Sequence, residues 1–245
     1  AASTATWTLA ANLTLGAGRQ LTLTNGTLDF NSNTLSAAGI TILTGTPSIA
    51  NTGTGSFTTT LPITHTSGSF TIPFNFTTSS ASGYTFTAGT LALSTYTLTT
   101  PVFNSSSSSA RTLNFGTGQL ALTGNNTTIF DVTTATSLTT SGTIYINSTY
   151  TGSTGTRTFV TGLSFAQSVG YDVKTSGSSG IVIGTSATDT VALTGSFGSI
   201  NLTGLTNTIS NTARTIYGNL TLPASSGTLT AGTNATTFSA TSGTQ

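Results

Sequence analysis

The feature that most constrains this chain is a three-residue pattern that returns from one end to the other. It reads apolar, small or polar, apolar, and each copy is closed off by a turn. Leu21-Thr22-Leu23, Leu28-Asp29-Phe30, Phe70-Thr71-Ile72, Tyr84-Thr85-Phe86 and Leu91-Ala92-Leu93 have this form. Tyr96-Thr97-Leu98, Leu120-Ala121-Leu122, Ile144-Tyr145-Ile146, Ile200-Asn201-Leu202 and Leu220-Thr221-Leu222 carry it onward. A period of two sends alternate side chains to opposite faces, so each triplet reads as a short strand with one buried face. Between them lie Asn25-Gly26, Ala37-Ala38-Gly39, Thr117-Gly118, Thr123-Gly124-Asn125 and Ser141-Gly142, whose Gly and Asn residues suit tight turns.

The pieces also resemble one another. Asn-Leu-Thr-Leu occurs at 12–15 and at 219–222, and Asn201-Leu202-Thr203 is a variant of it. Ala-Arg-Thr precedes an apolar residue at Ala110 to Leu113 and at Ala213 to Ile216, and Thr156-Arg157-Thr158-Phe159 has a related form. Thr-Ala-Gly-Thr appears at 87–90 and 230–233. Short strands in degenerate repeats predict an all-β parallel β-helix, or β-solenoid. Three strands and their turns need roughly 20 residues, so the chain would hold on the order of 12 coils. At about 4.8 Å per coil the rod would be roughly 55–60 Å long. The whole of 1–245 then forms one elongated array, and the serine run Ser105 to Ser109 is the candidate loop or internal boundary. The alternative is an antiparallel β-sandwich. Phe70, Ile72, Phe74 and Phe76 mark the best single strand, but Pro73 interrupts it, which predicts an edge, a corner or an irregular excursion.

Stacking also accounts for the composition. Charged residues are 4% of the chain, with five cations, four anions and a net charge of +1, against a usual share of about 25%. Like charges repeated at strand spacing repel, whereas Thr, roughly a quarter of the chain, is β-branched and suits a pleated surface. Asn at turns is expected to align into amide ladders. Arg19, Arg111, Arg157, Lys174 and Arg214 are too scattered to form a phosphate-binding patch, so nucleic acid is not an expected partner. No apolar run approaches the roughly 18 residues of a membrane helix, so membrane insertion is not expected. Cysteine is absent, and with it disulfides and thiolate metal sites. The chain contains no Met and begins Ala1-Ala2-Ser3, which reads as a processed chain or an excerpt from a longer one.

Few residues invite a chemical role. His65, the single histidine, reads as a solvent-facing loop residue, and no Gly-x-Ser-x-Gly elbow accompanies it. Asp29, Asp131, Asp172 and Asp189 raise a glycosidase reading, which needs two carboxyls across one bond. Turn capping is the commoner role for such residues. Gly16-Ala17-Gly18 and Gly116-Thr117-Gly118 lack the continuation of a phosphate loop and read as turns. The calcium-binding Gly-Gly-x-Gly-x-Asp repeat is absent. Asn-x-Ser/Thr sequons, as at Asn12, Asn75 and Asn219, follow from the abundance of Thr. Thr-x-Thr pairs such as Thr22 to Thr24 and Thr97 to Thr99 suggest an ice-binding face, yet they show no fixed coil period. No catalytic, cofactor-binding or metal-binding residue is assigned, no cofactor is expected, and the chain is read as a non-enzyme.

From about Ala110 the text takes on a recognisable character. Arg111-Thr112-Leu113-Asn114-Phe115-Gly116 is followed by 120–126, by 150–158 and by Asp189-Thr190-Val191-Ala192-Leu193-Thr194-Gly195-Ser196. Asn211-Thr212-Ala213-Arg214-Thr215-Ile216-Tyr217-Gly218-Asn219-Leu220-Thr221 closes the set. These runs resemble the repeat-rich structural and tail-fibre-like proteins of marine bacteriophages, over more than half of the chain. The first hundred residues, with Gly26-Thr27-Leu28-Asp29-Phe30-Asn31, also resemble passenger repeats of β-helical bacterial adhesins. The resemblance implies a fibre or appendage at a virion surface or outside the cell, with a host-surface glycan or protein as contact. The alternative is a bacterial extracellular filament or adhesin, and a polysaccharide-cleaving tailspike is less favoured. Ends without a visible cap predict a homo-oligomer, a filament or flanking segments.

Overall fold

A computed structural model describes residues 5–37, 39–42, 46–52, 56–125, 128–134, 137–142, 145–150, 155–161, 180–183, 190–203, 205, 208–222, 228–229 and 233–239. The chain winds as a three-sided β-solenoid whose paired strands are all parallel. The described residues contain no α-helix. The antiparallel sandwich is therefore set aside.

One coil shows how the winding works. Ser69–Thr71 lies on one side, Asn75–Thr78 on the second and Tyr84–Phe86 on the third. The next coil repeats the order with Gly89–Ala92, Thr97–Thr100 and Phe103–Asn104, each hydrogen-bonded to its predecessor. The third side is the longest. Ten strands follow one another along it, from Gln20–Leu23 to Thr228–Leu229, and eight run along the second side from Ser56–Thr59 to Leu220–Thr221. Ten layers span on the order of 45 Å at strand spacing.

Register explains why two-residue alternation suffices to fold the chain. On the third side Leu21 pairs with Ile40, and the column continues through Ile63, Tyr84, Phe103, Phe130, Phe159 and Leu193. From Ile40 onward every member is buried. Phe70, Leu91 and Leu113 form a column on the first side. Phe76, Leu98, Leu120 and Ile146 do so on the second. The columns meet in one continuous core along the axis. Tyr84, Phe103 and Phe130 stack with ring centroids 5.9 Å apart at each step and interplanar angles of 16° and 19°. Offset stacks of this kind add roughly 0.5–1.5 kcal/mol per pair beyond burial.

Corners absorb what the sides cannot. Phe70 to Phe76 is not one strand: Ser69–Thr71 and Asn75–Thr78 flank a corner at Ile72-Pro73-Phe74. The missing Pro N–H costs nothing there, and Phe70, Ile72, Phe74 and Phe76 all remain buried. Thr59, Thr78 and Thr100 share one register in three successive coils and are buried. Their hydroxyls serve corner backbone: Thr78 donates to the Leu61 carbonyl at 2.6 Å, Thr100 donates to Val102 at 2.8 Å, and Thr59 accepts from the Leu61 N–H at 3.0 Å. At Gly195, with φ of 106°, the eight-residue strand Thr190–Phe197 bends from the third side to the first. A Cβ at Gly195 would lie 2.0 Å from the Thr161 carbonyl oxygen, so only glycine fits that bend.

Coil length varies more than the repeats suggest. Equivalent positions are 19 residues apart from Leu21 to Ile40 but 34 apart from Phe159 to Leu193. The register of the third side continues across both intervals. The expectation of on the order of 12 coils is therefore too high: the longest described side holds ten strands and is shorter than the expected rod of roughly 55–60 Å. Replacing Phe103, at the centre of the aromatic column, by Ala should cost about 3–5 kcal/mol. Denaturant unfolding of the two proteins measures the loss, and the same truncation at exposed Thr22 should change stability by less than about 0.5 kcal/mol.

Candidate functional site

The outward positions along the described sides of the solenoid are mostly threonine and other neutral residues. The register places Thr22, Thr41, Thr64 and Thr85 one above another on the third side, followed by Asn104 and Asp131. On the second side Thr58, Thr77 and Thr99 align, and the row then changes to Ala121 and Asn147. Neighbouring polar groups bond across coils. Gln119 Nε2 donates to Thr97 Oγ1 at 3.0 Å, and the Ser106 and Thr133 hydroxyls lie 2.9 Å apart. The threonine rows last a few coils and then break, so they do not form one uniform lattice.

Asparagines act differently from the amide ladders expected of them. The carboxamide oxygens of Asn12, Asn51 and Asn75 accept backbone N–H groups of Thr34, Ser32 and Thr97 on adjacent coils, at 3.0, 2.7 and 3.0 Å. Asn104, Asn114 and Asn201 each cap an N–H two residues ahead. Only at Asn211 and Asn234 do two asparagines of adjacent coils bond directly among these contacts, through Asn234 Nδ2 and the Asn211 carbonyl at 3.0 Å.

The two described aspartates serve turns, as their positions suggested. Asp29 ends the strand Gly26–Asp29 and accepts from the Asn31 N–H at 2.9 Å, the Thr52 N–H at 3.0 Å and the Thr52 hydroxyl at 3.0 Å. Desolvation works to raise its pKa, but the hydrogen bonds from Thr52 and Asn31 outweigh it and the net shift is downward. Asp131 holds the N–H and hydroxyl of Thr133 at 2.9 and 2.7 Å. The two lie on different sides, at least four coils apart, on the order of 20 Å along the axis. Asp172, Asp189 and Lys174 lie outside the described residues. Among the described residues no group of three or more His, Cys, Asp or Glu side chains is placed to hold a metal ion. Gly16 to Gly18 and Gly116 to Gly118 are turns closed by the Arg19 N–H to Gly16 bond and the Gly118 N–H to Phe115 bond.

His65 is not in a loop facing solvent. It ends the strand Ile63–His65, points into the core and is fully buried. The Phe86 ring lies 4.9 Å away and the Phe70 ring meets it edge-on at 6.4 Å. Nε2 is 3.4 Å from the Gly68 carbonyl oxygen, which only accepts, so Nε2 carries the proton. Nδ1 then accepts from the Tyr84 hydroxyl at 3.3 Å. A neutral imidazole thus satisfies both contacts. Desolvation lowers the His65 pKa to about 4, against the opposing pull of the Gly68 and Ser67 backbone. Burial likewise pushes the Tyr84 phenol well above its usual value. Sequence reasoning missed this because the triplet Ile63-Thr64-His65 has the right parity but ends in a polar residue.

Three arginines are buried as well, and their side chains organise corners. Arg111 opens the strand Arg111–Asn114 and turns back over the serine run. Its Nε donates to Ser105 Oγ at 2.6 Å. One terminal nitrogen reaches the carbonyls of Ser107 and Ser109 at 2.6 and 3.0 Å and Ser137 Oγ at 3.0 Å. The other reaches the carbonyls of Ser105 and Thr134. All these partners are neutral, and desolvation lowers the arginine's pKa. The serine run is thus a corner loop wrapped around a cation, and the ladders Tyr84–Phe103–Phe130 and Gly89–Arg111–Leu138 continue past it. Arg214 repeats the device with the Thr212 and Ser210 carbonyls at 3.2 and 2.7 Å, and desolvation lowers its pKa too. Arg157 bonds the Ser148 hydroxyl and lies 5.6 Å from the Tyr150 ring centre. The recurring Ala-Arg-Thr was the sequence signal for the first two.

Comparison with protein-family models, curated proteins and solved structures finds no match. Among the described residues no helix is long and apolar enough to cross a membrane.

Two outcomes follow from the buried polar groups. Between pH 6.5 and about 4 the unfolded chain protonates His65 while the folded ring stays neutral, so stability should fall as pH drops through that window, by about 3 kcal/mol in all. His65→Gln should flatten this part of a stability-against-pH curve. The contribution of Asp29 lies lower, lost only as pH falls below about 3.8 through its depressed pKa. Arg111→Ala leaves the serine-loop carbonyls without their donors and should cost about 1–3 kcal/mol for each one left buried and unpaired. Arg111→Lys should recover less than half of that in thermal unfolding, because one ammonium cannot reproduce the fork.

Proposed function

We propose that this chain is a shaft segment of a fibre or appendage, most specifically a bacteriophage tail fibre or other virion appendage that contacts the host surface. One observation carries the reading: an axial stack, continuous along its third side, with an apolar core and largely neutral, hydroxyl-bearing sides. Such a stack provides length and regularity, and parallel ladders bind each coil to the next. Neutral sides remain compatible with close approach to a charged cell surface, since no large single-sign field is built up. Threonine and asparagine rows offer donors and acceptors to a surface glycan or protein. The resemblance of 110–221 to tail-fibre-like repeats supports the virion assignment over a bacterial filament or adhesin. The role is mechanical and adhesive rather than catalytic, at a virion surface or outside the cell.

Antibody raised against the purified chain should decorate the appendages of phage particles in electron micrographs. Decoration confined to bacterial surface filaments would transfer the assignment to the bacterial alternative. Incubation of the chain with host-surface polysaccharide should release no reducing sugar, and release would return the cleaving spike to first place.

A further inference from the structure

The threonine rows of the second and third sides break after a few coils, but the first side carries a hydroxyl row without a break among the described residues. Its described strands form three ladders, and pairing fixes which residues stand outward. In the first ladder Thr6 pairs with Thr27, and Thr27 with Ser48. In the second, Ser69, Thr90, Thr112 and Thr139 follow one another. In the third, Ser196 pairs with Thr215, and Thr215 with Thr237. Each neighbours a residue of the inward column, as Thr27 neighbours buried Leu28, Thr90 buried Leu91 and Thr215 buried Ile216. None of the hydroxyl residues is itself buried.

The period of this row is set by register and is only partly kept in sequence. Thr6, Thr27, Ser48, Ser69 and Thr90 follow at intervals of 21 residues, after which the interval is 22 to Thr112 and 27 to Thr139. The ladder absorbs the longer intervals and keeps the hydroxyls in line. The Thr-x-Thr pairs at Thr22 and Thr97 belong to the third and second sides, where no such continuity holds.

None of these hydroxyls bonds a protein group among the described residues. On the other sides Thr97 is bonded by Gln119, and Ser106 lies against Thr133. Neighbours in the first-side row are about 4.8 Å apart, beyond the reach of a direct hydrogen bond. Each hydroxyl is therefore left to a group outside the chain. The second outward row in the first two ladders reads Thr8, Asp29, Ala50 and then Thr71, Ala92, Asn114, Ser141. It holds no Lys, Arg or aromatic side chain, and its one charge, Asp29, is buried against its own turn. Nothing longer than asparagine rises from this face.

That chemistry selects the ligand. A protein partner is anchored by Tyr, Trp or Arg, and a polysaccharide by a ring on which a sugar can stack; these two rows offer neither. One group repeated at one interval fits a ligand that is itself a lattice. We propose that the first side is an ice-binding face, and that its ligand is the surface of an ice crystal. Oxygen atoms in the layers of hexagonal ice repeat at an interval close to the strand spacing. A hydroxyl both donates to water and accepts from it, so each can hold one lattice water in place. Threonine is stiff at its first side-chain torsion, which sets hydroxyl and methyl before binding. The methyl groups order the water between them. Water held along the row has already lost its freedom, so freezing onto it costs little more entropy. The inference goes beyond the shaft reading and does not rest on it.

Two double variants of the full chain test the face. One carries Thr90→Tyr and Thr112→Tyr, which favour strands but stand out of the plane. The other carries Ser82→Tyr and Thr117→Tyr at exposed corners. The unaltered chain should be taken up into slowly growing ice and should arrest recrystallisation in a frozen sucrose film. The first-side pair should lose both activities with an unchanged circular dichroism spectrum, and the corner pair should keep both. Valine at 90 and 112, which keeps the branched shape and removes the hydroxyls, serves if the tyrosine pair loses its fold, and it too should lose uptake. An unaltered chain that ice excludes overturns the proposal. Uptake that persists in the first-side pair overturns it by moving the activity to another side. Exclusion from ice together with retention on a neutral polysaccharide column, lost in the first-side pair, overturns it in favour of a glycan. Antibody decoration of virions is unaffected by any of these results, so the shaft reading and the ice-binding face fail separately.

Discussion

The parallel ladder between successive coils is the interaction on which the rest of the structure depends. Each strand is too short to hold a shape alone, and its hydrogen bonds become useful only when another coil lies against it. Once adjacent coils lock, parity is inherited: a residue below an inward Phe is itself inward. This is why Tyr84, Phe103 and Phe130 form one stack although 19 and 27 residues separate the members. A slip of one residue would turn every side chain of that strand to the other face. Core and surface are therefore set together by one constraint.

The same constraint governs the polar groups that enter the interior. A cation buried among stacked coils has no room for a carboxylate at each level, since like charges would repeat along the axis. Arg111 and Arg214 are met instead by carbonyls that their own corner loops turn inward. The arginine completes the loop's hydrogen bonds and the loop solvates the arginine. His65 and Tyr84 solve the problem differently, by remaining neutral and pairing donor to acceptor in one orientation. In both cases the fold keeps its low charge without leaving these groups unmet.

Much of the architecture was legible because a strand's period survives in sequence. The triplets around Leu21, Tyr84, Leu120 and Leu220 coincide with strands, and Pro73 marked a true corner. What the triplets could not convey was spacing. Corners between equivalent strands range widely in length and carry no period, so the number of coils was overestimated. Burial of single polar residues was equally hidden: Ile63-Thr64-His65 has the alternation of a core strand, yet its last residue is the one hydrophilic type that reads as surface. The buried arginines left a trace, the repeated Ala-Arg-Thr, but its meaning depends on a serine or threonine loop folding back over the guanidinium. That is a three-dimensional fact with no signature in one-residue propensities.

Unequal coils have a mechanical consequence. In this winding the interstrand bonds lie along the axis, so tension applied through the chain ends opens them in sequence, one turn after another, rather than all at once. Each turn that peels away frees its own contour length. At about 3.4 Å per extended residue, the 19-residue turn from Leu21 to Ile40 releases roughly 65 Å and the 34-residue turn from Phe159 to Leu193 roughly 115 Å. A solenoid of this kind responds to a pull by paying out slack in unequal steps, and most of its remaining body stays wound while it does so.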